Sequence, residues 1–115
     1  MCHMDMYQMK RKDVWEVNFT PSLCVKIERR RLVLIVSNDI SNKYLGRLQV
    51  VPLDADVAEV YPSEALVTIN NVQNKAMVHQ ITTMNKSSFF NKTGNISDSD
   101  MLEVDNALKL QIGLR

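Results

Sequence analysis

Seven of the fourteen lysines and arginines fall within residues 10–31: Lys10, Arg11, Lys12, Lys26, Arg29, Arg30 and Arg31. Only Asp13, Glu16 and Glu28 oppose them there. Cations at this density attract phosphates or carboxylates. Arg31 stands apart because it abuts the uninterrupted apolar run Leu32 to Val36. Its stem must pack and its guanidinium must be held in place, which is what phosphate recognition requires. A solvated loop is the plainer reading of the Arg29-Arg30-Arg31 triplet, and a local phosphate-binding edge the sharper one. The acidic counterpart follows at Asp54, Asp56, Glu59 and Glu64, with no basic residue between them.

Other chemistry is sparse. His3 lies near the N-terminus, and His79 falls in a predicted strand, where a single half-buried imidazole is more often structural than catalytic. With three glycines there is no Gly-rich phosphate loop, and neither a metal-ligand spacing nor a nucleophile motif is present. No metal or nucleotide cofactor is therefore expected. Cys2 and Cys24 are too few for a disulfide framework and are expected to be free thiols in a reducing cytoplasm. No aromatic pair that would stack a base lies near residues 26–31.

The elements that position these residues must come from one domain, since 115 residues with 45% hydrophobic content support a single core. A net charge of +1 excludes a broadly basic nucleic-acid binder. No apolar run approaches the roughly 18 residues of a spanning helix, so no membrane is expected as a partner. Residues 1–9 are expected to be a disordered leader and residues 10–115 one domain.

Strand patterns occupy Val14 to Phe19, Leu32 to Val36, Arg47 to Leu53, Ala65 to Ile69 and Lys75 to Ile81. The second is a short β-branched run bounded by polar residues, as expected of a central strand buried on both faces. Residues 21–30 read as a polar loop and Asn70-Asn71 as a turn. A helix follows Ser97, with Met101, Val104, Leu108 and Ile112 recurring on one face and Gly113 closing it; Asn85 to Asn91 is expected to add a short helix. Strands followed by a helix define an α+β plan with a small, strongly curved antiparallel sheet.

Five collinear segments carry a resemblance. They are Arg11 to Phe19 with Pro21; Arg31 to Asp39 with Asn42; Val50 to Leu53; His79-Gln80-Ile81; and Val104 to Leu114. Together they resemble the MazF/PemK family of toxin endoribonucleases over about residues 10–114. The resemblance implies an SH3-like barrel of the CcdB/MazF kind with a C-terminal helix. It also implies a homodimer, metal-independent cleavage of single-stranded RNA at a short sequence, and inhibition by a cognate antitoxin. The family's cleavage residues, an Arg opening the second strand and a Ser or Thr after the next, fall on Arg31 and Asp54. Its RNA-groove residues fall on Asn38 and Gln80, and the basic edge adds Lys26, Arg29 and Arg30. The sequence departs from the family at Asp54, at Leu32 where a proline follows the key Arg, and at Thr82 where an Arg follows Gln-Ile. A second reading keeps the scaffold as an antitoxin-binding or CcdB-like interaction protein of feeble activity.

Overall fold

The computed structural model describes residues 9–19 and 29–114, with the side chains of Phe19 and Arg29 outside that description. The chain runs β1 (Asp13–Phe19), β2 (Arg29–Ile35), α1 (Asp39–Tyr44), β3 (Arg47–Asp54), β4 (Glu64–Ile69), β5 (Val72–Met77), β6 (Thr82–Asn85), β7 (Phe89–Asn95) and α2 (Asp98–Gln111). Two 3-10 turns, Val78–Gln80 and Lys86–Ser88, flank β6. Among the described residues the seven strands form one antiparallel sheet in the order β4-β5-β3-β2-β1-β7, with β6 also on β3. The curled antiparallel sheet with its C-terminal helix meets the expectation.

The apolar run of β2 is central, pairing with β1 on one edge and β3 on the other. Successive strand residues point to opposite faces, so Val33 and Ile35 enter one core and Leu34 and Val36 another. The Leu34 core lies beneath α2, which contributes Met101, Val104 and Ala107. The Val33 core gathers Met9, Trp15, Val17, Leu48, Val50 and Phe89. Met9, the last residue of the expected leader, is thus buried.

β3 has an edge with two partners. Arg47 to Val50 pair with β6, Leu53 and Asp54 pair with β5, and Pro52 lies in the break between. A residue without a backbone N–H is tolerated where a ladder is interrupted. The Asn70-Asn71 turn forms as predicted: both residues take positive φ (51° and 68°) between the paired Ile69 and Val72, as a two-residue hairpin turn requires.

Helix α2 is capped at both ends. The Ser97 hydroxyl accepts from the Asp100 N–H at 3.1 Å. At the other end Gly113, at φ +79°, lets its N–H reach the Leu110 carbonyl and the Leu114 N–H reach the Lys109 carbonyl. Arg11 pairs with Asp105 and Lys12 with Asp98, tying the first strand's approach to the helix. Ile112 does not join the buried stripe; it follows the last helical residue and is 60% exposed.

Three expectations need correction. The fifth strand ends at Met77, because Val78–Gln80 coil into a 3-10 turn closed by the Ile81 N–H on the Val78 carbonyl. His79 and Gln80 are therefore turn residues, not strand residues. The short helix expected over Asn85 to Asn91 is reduced to the turn Lys86–Ser88, after which the chain extends as β7 on the edge of β1. Arg29 and Arg30 belong to β2 rather than to a loop. Helix α1, which begins where Asn38 accepts from the Ser41 N–H, has no counterpart among the expected elements.

Candidate active site

Arg31 and Asp54 each lie two residues beyond the point where β2 and β3 part. The last paired residues of these strands are Val33 and Pro52. Two residues further, Arg31 continues along β1 opposite Val17, while Asp54 continues along β5 opposite Lys75. Side chains two apart share a face, so Arg31 projects with Val33, and Asp54 with Val50 and Pro52, toward the face that carries Trp15. Reading across the sheet on that face, Leu66, Lys75 and Asp54 form one row. Glu64 and Met77 lie opposite each other in the next. Arg31 of the basic stretch and Asp54 and Glu64 of the acidic one thus share one face.

Each group here has a partner. Asp54 Oδ1 accepts from the Asp56 N–H at 3.0 Å, closing a small loop. Lys75 Nζ donates to the Glu59 carbonyl at 3.0 Å and lies 3.8 Å from Glu64 Oε1. Glu64 is buried, with Oε1 accepting from the Tyr61 N–H at 3.0 Å and Oε2 lying 3.9 Å from His79 Nδ1. The Gln80 side-chain nitrogen lies 3.4 Å from His79 Nε2.

The other expected binding residues are dispersed. Arg30 alternates with Arg31 and points to the opposite face, where its guanidinium sits 4.3 Å over the Phe90 ring. An aromatic partner therefore exists near the basic edge, supplied by β7 rather than by the neighbouring sequence. Lys26, the Arg29 side chain and Cys24 lie outside the described residues. Asn38 is exposed at the other end of β2, roughly 20 Å from Arg31 along an extended chain. There it caps α1, and a polar web fixes the segment. Asn42, 1% exposed, donates to the Ser37 carbonyl at 2.8 Å and accepts from the Ser37 hydroxyl at 2.5 Å. The buried Lys86 ammonium donates to the Asn42 carbonyl. Beside this end a surface depression of about 620 Å³ is lined by Leu45, Gly46, Arg47, Gln49, Thr83 and Asn85.

Sequence reasoning missed Glu64, Lys75, Phe90 and the Arg47 depression as parts of these surfaces. Glu64 read as one more solvated acid of an acidic loop. The alternation Arg47-Leu48-Gln49 was the available signal for a polar strand face opposite the Leu48 core.

The curled antiparallel sheet with a helix across one face is the fold of a class of small toxins. Residues 10–112 match the family model of PemK-like, MazF-like toxins of type II toxin-antitoxin systems, and the chain belongs to that family. It is 30% identical to the endoribonuclease MazF9 of Mycobacterium tuberculosis, covering 92% of this chain and 98% of that protein. The endoribonuclease MazF of Staphylococcus saprophyticus is 29% identical, with 92% of each chain covered. Among solved structures, an endoribonuclease in complex with its cognate antitoxin from a mycobacterial species superposes with a TM-score of 0.79 at 18% identity, over 93% of this chain and 97% of that one. A MazE-MazF structure (Form-III) from Deinococcus radiodurans gives 0.76 at 21% identity, over 95% and 100%. No helix among the described residues is long and apolar enough to cross a membrane.

Proposed function

We propose that this toxin is a cytoplasmic, homodimeric endoribonuclease that cuts single-stranded RNA at a short sequence without a metal ion and is silenced by a cognate antitoxin. The observation that carries the reading is the placement of Arg31 and Asp54 on one sheet face, each two residues beyond the last pair of β2 and β3, in a chain similar to proteins named as endoribonucleases. Those names favour it over the interaction-protein alternative. Cleavage by the ribose 2′-hydroxyl needs a base for its proton and fixed positive charge on the developing phosphorane. The Asp54 carboxylate is the base, through the oxygen not engaged by Asp56. The Arg31 guanidinium holds the phosphoryl oxygens, its planar fork suiting two of them at once.

Gln80 lies beyond His79 at the edge of this centre, while Asn38 lies at the far end of the sheet. Asn38, Gln80, Lys26, Arg29 and Arg30 bind the RNA over a surface wider than the centre, and a two-fold pair of chains supplies that breadth. The antitoxin is an acidic segment that competes for the basic edge, in keeping with solved relatives crystallised with a cognate antitoxin.

The test is incubation of the purified protein with long single-stranded RNA in EDTA, followed by primer extension. Discrete cuts sharing a short sequence are expected, and Asp54→Asn should slow them by about 10²- to 10⁴-fold. Intact RNA would overturn the reading. Gel filtration should give about twice the 13.2 kDa of one chain, and a monomer at micromolar concentration would remove the dimer.

A further inference from the structure

A carboxylate base accounts for half of a transesterification. The oxygen that leaves, O5′, departs as a poor leaving group unless a second group protonates it. We propose that His79 is that general acid, a catalytic residue oriented by the buried Glu64; this rests on the ribonuclease reading above. The imidazole is half exposed, 38% by side chain, on a 3-10 turn, while the carboxylate behind it is 3% exposed. Glu64 Oε2 lies 3.9 Å from Nδ1, so the buried carboxylate faces that side of the ring. That contact turns Nε2 to the other side, where it lies 3.4 Å from the Gln80 side chain assigned to the RNA groove.

The same carboxylate connects the imidazole to the reaction centre. Its other oxygen lies 3.8 Å from Lys75 Nζ, and Lys75 is the residue opposite Asp54 across β3 and β5. Glu64 stands in the neighbouring cross-strand row, opposite Met77, about 7 Å along the strands from the Asp54 row. Asp54 and the carboxylate that faces the imidazole thus stand in neighbouring rows of one sheet face, with Lys75 between them.

In the step, Asp54 takes the 2′-hydroxyl proton as the O2′–P bond forms. The P–O5′ bond breaks, and O5′ takes the proton from His79 Nε2. The products are a 2′,3′-cyclic phosphate and a 5′-hydroxyl end. Asp54 is left protonated and His79 neutral, and exchange with water restores both. Among the described residues, the Glu64 carboxylate faces the imidazole and the Lys75 ammonium faces that carboxylate.

The experiment uses an RNA oligonucleotide spanning one mapped cut, made with either oxygen or sulfur at the scissile 5′ position. A thiolate leaves without protonation. His79→Gln should slow the oxygen substrate by about 10²- to 10³-fold and leave the sulfur substrate within about threefold of the unaltered protein. Glu64→Gln should show a smaller loss with the same substrate dependence, as a positioning residue does. Asp54→Asn should slow both substrates, which separates base from acid. Equal losses of His79→Gln on the two substrates, or no loss on either, would overturn the proposal with the ribonuclease reading intact. Failure of the unaltered protein to cut either substrate would remove both.

Discussion

The two faces of the sheet solve different problems. One is closed: Leu34, Val51, Leu53, Val67 and Ala76 pack beneath α2, and the helix is fixed by a hydroxyl cap, a glycine turn and ion pairs to Arg11 and Lys12. The other is apolar around Trp15, Val33 and Val50 but gives way at one end to Arg31, Asp54, Lys75 and Glu64. Burial on the first face supplies stability, and the margin it provides lets the second hold charges in proximity. The resemblance to the family runs through fold-bearing segments such as Val104 to Leu114, while Leu32, Asp54 and Thr82 depart from it.

If the faces are separable, Arg31→Ala should cost cleavage about 10²- to 10³-fold while leaving the melting temperature within about 2 °C. A comparable loss of stability would show that the arginine belongs to the core. Met101→Ala, on the closed face, should do the reverse: it should destabilise by about 2–5 kcal/mol in urea unfolding and leave the cleavage rate of the folded fraction unchanged. The smallest effect is electrostatic. The Lys12 ammonium, by hydrogen bond and charge, holds the Asp98 carboxyl below the ordinary carboxylate range. A carboxyl depressed in the folded state stabilises above its unfolded value, and that contribution fades as pH falls through the folded value. Lys12→Ala should return Asp98 to the ordinary range by NMR titration and flatten this part of the acid limb; an unmoved titration would discount the pair.

Much of the closed face was legible in the sequence. Met101 and Val104 recur at helical spacing behind a serine cap, and the five-residue run of β2 could only be a strand between neighbours. Strand β7 was not legible, because Phe89–Asn95 is polar, contains a glycine, and is held to β1 through register shifts that tertiary packing sets. Helix α1 escaped because its six residues depend on Asn38, Ser37 and Lys86 rather than on an apolar stripe. Arg31 and Asp54 could be linked only through family resemblance, since nothing local in the sequence brings a strand's start to the end of the next. His79 was read as structural because its partner, Glu64, arrives from a different strand.

The division of β3 between two partners gives the molecule a joint. Residues before Pro52 pair with β6 and those after it with β5, whereas Arg31 pairs with β1. The three pairs Val33–Pro52, Leu34–Val51 and Ile35–Val50 are what tie these ladders together, so the position of Arg31 relative to Asp54 is anchored by a stretch of three residues.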